Sequence, residues 1–142
     1  VLGLLFLAWS WGLISLGQIV LITASLTLGI YDFRHQEYPL LVWMTFHLIL
    51  MAFCGWNLVM IFFLALGIMA HFIDIRMGAG DFLFLASCAL VFSPTELLIL
   101  IQFASATGIL AFLLQKKKER LPFVPFLLLA ACVIIFGKLL LV

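Results

Sequence analysis

The sequence predicts an all-α fold: a polytopic transmembrane helix bundle of about six to seven membrane segments, forming a single domain over residues 1–142. Three observations lead there. Charged residues make up only 9% of the chain and apolar residues 68%, whereas a soluble domain carries about 25% charge, so the polar side chains are too few to cover a surface in water. Mean hydropathy is +1.40, and several uninterrupted apolar stretches approach the roughly 20 residues that cross a hydrocarbon core. Those stretches lack the strict alternation of a barrel strand. Backbone at that depth must pair internally, which leaves helices.

The elements follow in order. Val1 to about Trp11 is apolar but short for a span. The chain begins at Val1 already inside an apolar run, so a preceding N-terminal portion is expected in the full protein. A break is expected around Gly12, Ser15, Gly17 and Gln18. The second segment runs from about Leu16 to Tyr31, and the polar stretch Asp32–Pro39 reads as a loop, with Pro39 suited to the first turn of the next helix. The third segment covers about Leu40–Phe53, and a turn at Cys54–Asn57 leads to the fourth, about Leu58–Ile73. A second polar loop, Asp74–Asp81, contains Gly78 and Gly80. The fifth segment, about Phe82–Phe92, is short for a span, and loop residues or neighbouring helices are expected to extend or shield it. Ser93-Pro94-Thr95-Glu96 has the pattern of a helix start, opening the sixth segment to about Leu114. The charged cluster Gln115–Arg120 follows, and the last segment is about Pro122–Leu141.

Charge patterning sets sidedness and excludes some functions. Helices that cross in sequence put the Asp32–Tyr38, Asp74–Gly80 and Lys116–Arg120 loops on one face, with Arg34, Arg76, Lys116, Lys117, Lys118 and Arg120. Lys138 is the only basic residue toward the other face. The positive-inside rule assigns the first face to the cytoplasm, and the lysine cluster suits anionic lipid headgroups. A net charge of +1 gives no nucleic-acid footprint. Cys54, Cys88 and Cys132 are widely spaced and read as packing residues, with neither a zinc site nor a disulfide framework signalled. His35, His47 and His71 lie on separate segments without metal-ligand spacing.

The predicted topology places Asp32 at the end of one helix and Asp81 at the start of another, on the same face. Ionisable groups at this depth usually face the bundle interior or a water-filled cavity. Two carboxylates in hydrogen-bond reach share one proton, because both cannot ionise easily. The ionised member can take a proton from water, and the protonated member can polarise a peptide carbonyl and later protonate the leaving amine. Gly78 and Gly80 permit close backbone approach, either to a neighbouring helix or to an unwound substrate strand. Both aspartates also suit plain structural roles: interfacial residues at helix ends, with Asp81 capping the helix that starts there.

As a set, these residues resemble the bacterial type IV prepilin leader peptidases, including the competence-type members of Gram-positive bacteria. Asp32-Phe33-Arg34 followed by Pro39 is similar to that family's D-x-R-x-x-x-x-P loop, Gly78-Ala79-Gly80-Asp81 to its GxGD motif, and Pro122-Phe123-Val124-Pro125 to its PFGP-type helix start. The resemblance implies that Asp32 and Asp81 are the catalytic pair, with Gly78, Gly80, Arg34, Pro39, Pro122 and Pro125 as supporting or substrate-binding residues. It also implies cleavage after a glycine, at the end of the basic leader of a prepilin or pseudopilin, at the cytoplasmic side of the cell membrane. No cofactor is expected for that hydrolysis. Two features depart from the pattern. Leu83 stands where the family usually has lysine, and Val124 where glycine is usual. The paired CxxC region found in many members, which accompanies N-methylation with S-adenosylmethionine, has no counterpart in these residues, so methylation is not implied. Tyr31-Asp32 with GxGD is also similar to presenilin-type proteases, but their Pro-Ala-Leu motif is absent.

Other classes compatible with the composition are a non-enzymatic membrane subunit, an inactive remnant and a proton-coupled transporter. Glu37, Arg34, Asp74 and Arg76 read as solvated loop residues, with Asp74 a candidate for the polar network of Asp81. His47 is expected to hydrogen-bond within the bundle and His71 to sit at the interface. Trp9, Trp11, Trp43 and Trp56 read as interface anchors.

Overall fold

The computed structural model describes residues 3, 12, 15–35, 38–73, 78–115 and 121–141. The predicted first segment, the Lys116–Arg120 cluster, Glu37, Asp74, Arg76, Trp9 and Trp11 lie outside the described residues. Six helices and no strand occur among those described: α1 Leu16–His35, α2 Leu40–Cys54, α3 Leu58–Phe72, α4 Ala79–Val91, α5 Pro94–Leu114 and α6 Val124–Leu141. Three of them, α1, α5 and α6, are long and apolar enough to cross a membrane, with 20, 21 and 18 residues. The other three are apolar but shorter, at 15, 15 and 13 residues, or roughly 20–22 Å each at 1.5 Å per residue.

The helix limits have local causes. Ser15 and Gln18 form a reciprocal pair at the start of α1: Ser15 N–H donates to Gln18 Oε1 (2.9 Å) and Gln18 N–H to Ser15 Oγ (3.3 Å). This is the capping-box arrangement. Gly17 and Gln18, expected in a break, are therefore inside the first turn. The end of α1 also differs from the sequence expectation. It continues to His35, so Asp32 and Arg34 are helical rather than in a loop, because a fall in hydropathy does not itself unwind a helix. Gly55 ends α2 at φ 75°, a left-handed conformation, and its N–H bonds to Met51 O. Asn57 caps α3 by accepting from Met60 N–H, and it donates to Ala89 O near the end of α4 (both 2.7 Å). Ser93 and Glu96 form a full capping box at the start of α5, and Glu96 also pairs with Lys138 near the end of α6.

The short α4 is the centre of the bundle. Every residue from Phe84 to Leu90 is buried, so this helix has no outward face. It packs most broadly on α3, and also against α2, α1, α5 and α6. Gly67 of α3 makes room for it: a Cβ there would stand 2.9 Å from Leu83 Cδ2. Leu83 is thus a packing residue between two helices. The outer surface is apolar, with Leu41, Leu58, Phe72, Leu113 and Leu140 among the most exposed side chains. That is the reverse of a water-facing surface and matches a lipid-facing one.

Contacts between helix ends define two mouths of the bundle. At one, the start of α1 meets the ends of α2 and α4, since Gly17 lies against Cys54 Sγ and Val91. The start of α5 meets the end of α6 there through Glu96 and Lys138. At the other, the α1–α2 connection meets the start of α4, because Tyr38 packs on Gly80. The aspartates belong to this second mouth.

Candidate active site

Asp32 sits in the last turn of α1 and continues its buried stripe. Leu21, Ser25 and Leu28 on that stripe are all at most 1% exposed, and Asp32 follows Leu28 by four residues, which puts it on the same side of the helix. Asp81 is the third residue of α4, in its first turn. It precedes the buried Phe84 and Leu85 by three and four residues, so it too lies on an inward face. Both acids are half-buried.

Gly78 and Gly80 have different tasks around Asp81. Gly78 is extended and caps α4 (φ −65°, ψ 138°), and Asp81 N–H donates to Gly78 O at 3.1 Å. The carboxylate folds back toward the cap: a Cβ on Gly78 would meet Asp81 Oδ2 at 3.4 Å. A negative charge in the first turn of a helix is favoured by the helix dipole. Gly80 is helical rather than part of an extended edge for substrate. It is glycine because a Cβ there would lie 2.6 Å from both Cγ and Cδ2 of Tyr38 and 3.0 Å from its Cβ. For Gly80 the close approach is to Tyr38 of the α1–α2 connection.

Tyr38 is the residue that sequence reasoning missed. Its hydroxyl oxygen is buried and has no hydrogen-bond partner among the described residues. Burial pushes the phenol well above its ordinary range, and the Cys88 thiol and the carboxylates of Asp81 and Asp32 push in the same direction. The phenol is therefore neutral, and it lies within the electrostatic reach of both acids. Nothing near Tyr38 in the sequence announces this. The only hint is indirect, in a GxGD glycine that must admit some bulky neighbour.

The other supporting residues divide. Pro39 adjoins Tyr38 and caps α2 through its carbonyl, which accepts from Trp43 N–H at 3.0 Å. Arg34 faces outward and lines a shallow groove of about 440 Å³ on α1 with Thr23, Thr27, Ile30, Tyr31 and His35. The Tyr31 and His35 rings lie 4.7 Å apart. Pro122 and Pro125 flank the start of α6, whose first turn closes on Phe123 O. The rings of Phe123 and Phe126 pack over Gly108 of α5, so this motif shapes the α5–α6 pair.

Just inside the mouth, a polar cluster ties α2 to α4. Trp43 Nε1–H is shared between Leu83 O and Ser87 Oγ, each at 2.9 Å. His47 Nδ1 lies 2.9 Å from Ser87 Oγ, and its ring stacks on that of Trp43. His47 is hydrogen-bonded within the bundle as expected. Trp43 corrects the sequence reading: it is a buried donor, not an interface anchor, and only Trp56 among the described tryptophans is well exposed. Among the described residues, no three His, Cys, Asp or Glu side chains gather as a metal site would require. Comparison of this chain with family models, curated proteins and solved structures finds no match.

Proposed function

We propose that this protein is a membrane-embedded aspartic endopeptidase that removes the basic leader from type IV prepilins or pseudopilins at the cytoplasmic face of the cell membrane. In this reading all six helices cross the bilayer, the short ones inside a ring completed by the longer ones. The observation that supports it is the position of the two acids: Asp32 and Asp81 lie toward the same end of the bundle, in the last turn of α1 and the first turn of α4.

Two acids so placed do the work with water alone. The ionised carboxylate takes a proton from water as its oxygen attacks the peptide carbonyl. The protonated partner supports the carbonyl oxygen and then protonates the departing amine. Within hydrogen-bond reach of each other, two such acids share one proton. The apolar outer wall suits a substrate that arrives as a single apolar helix in the bilayer.

The test is cleavage of a purified prepilin by the full protein in detergent. Asp32→Asn and Asp81→Asn are each expected to lower the rate by about 10²–10⁴-fold, the range that positioned proton-transfer groups supply, while the thermal transition is retained. Undiminished processing by either variant refutes the assignment. Proton-dependent flux without cleavage would instead identify a transporter.

A further inference from the structure

We propose that Tyr38 is a third catalytic group: its phenol O–H donates a hydrogen bond to the carbonyl oxygen of the peptide bond that Asp32 and Asp81 cleave. The inference rests on the endopeptidase reading above and assigns a role to a position that the D-x-R-x-x-x-x-P and GxGD patterns leave unspecified.

Two geometric observations carry it. First, the phenol oxygen is buried without a hydrogen-bond partner among the described residues. Leaving such a donor unpaired is costly, and phenylalanine would fill the same space without that cost. A buried polar atom held this way calls for an explanation in function. Second, the ring is fixed beside the acid. It lies on Gly80 at a distance that no side chain at that position would permit, and Gly80 immediately precedes Asp81. The neutrality of the phenol next to two carboxylates supports the assignment, since a neutral phenol remains a donor across physiological pH.

The proposal requires that a bound peptide displace the packing around Tyr38 enough to reach its hydroxyl, which is buried in the free protein. Water oxygen then bonds to the carbonyl carbon, and one water proton passes to the ionised carboxylate. The carbonyl oxygen receives the proton of the other acid. Tyr38 keeps its own proton throughout and stabilises the charge growing on that oxygen, as a donor in an oxyanion hole does. The C–N bond breaks as the pair protonates the amine nitrogen and takes back a proton from the gem-diol, which re-forms the carbonyl and leaves the pair singly protonated again.

The experiment is Tyr38→Phe in the full protein, with kcat, KM and thermal transition measured in detergent, and Asp32→Asn and Asp81→Asn in parallel. The expected result is a kcat lower by about 100-fold, with KM unchanged and a thermal transition equal to or above the parent's, because the ring is kept and an unpaired hydroxyl is removed. Parental kcat overturns the proposal, as does a loss confined to KM. A fall in kcat matched by a lowered transition assigns Tyr38 to packing and overturns it too. If the aspartate variants are inactive while Tyr38→Phe is not, only the role of Tyr38 fails. If the aspartate variants cleave normally, the endopeptidase reading itself fails.

Discussion

At the scale of single residues, glycines separate into those that a neighbour can accommodate and those that it cannot. A methyl group on Gly67 would meet the tip of Leu83, a flexible end that can turn aside. A methyl group on Gly80 would meet Tyr38 at the root of its ring and at its Cβ, so the backbone of the α1–α2 connection would have to move. Gly80→Ala is therefore expected to lower stability by about 1–3 kcal/mol, the usual cost of overpacking, and to impair cleavage. Gly67→Ala is expected to cost less than half of that. Thermal melts of both variants in one detergent check the ranking. The acids were legible at this scale because aspartates in an apolar chain are few and their positions relative to apolar runs are plain. Tyr38 was not, because its importance arises from a partner 42 positions away and from burial that a loop position does not suggest.

At the scale of elements, two of the three hydrogen bonds described between α2 and α4 run through one hydroxyl, that of Ser87. Ser87→Ala removes the only hydrogen-bond partner that His47 has among the described residues, because Nε2 is already without one, and Trp43 keeps only Leu83 O. The expected loss is about 1–3 kcal/mol. Ser25→Ala is the contrast: Ser25 is equally buried, but its hydroxyl bonds only to Leu21 O within its own helix, so its loss is expected to stay below about 1 kcal/mol. Equilibrium unfolding of the two variants checks the difference. Helix centres were readable from apolar runs, and the Gly55–Asn57 turn and the Ser93–Glu96 start were readable from their capping chemistry. Helix ends at the aspartate mouth were not, since α1 extends past Asp32 and α4 starts before Asp81. Hydropathy marks where lipid ends, whereas backbone hydrogen bonding marks where the helix ends. Here the two differ by up to about one turn. Trp43 was misread for a related reason: period alone does not say which neighbour a helix face will meet.

At the scale of the whole molecule, the proposed orientation puts the two mouths on opposite sides of the membrane and so constrains thiol chemistry. Cys54 is exposed at the mouth far from the aspartates, while Cys88 is buried in α4 and Cys132 is half-buried within α6. With the aspartates facing the cytoplasm, a membrane-impermeant maleimide added to intact cells is expected to modify Cys54 and to leave Cys88 and Cys132 unmodified until the protein is denatured. Cys54→Ser should abolish the labelling. Modification only after the cytoplasmic face is opened would reverse the orientation.

The central helix is also the shortest, about 20 Å against about 30 Å for α1 and α5 around it. A post that is lower than its fence leaves a dimple. A shortfall at the aspartate end would let bulk solvent reach below the level of the lipid headgroups and supply the proposed hydrolysis with water while the outer wall stays dry. Lengthening α4 by a turn at its N-terminal end would fill the hollow, and hydrogen–deuterium exchange at residues 79–82 would report how wet it is.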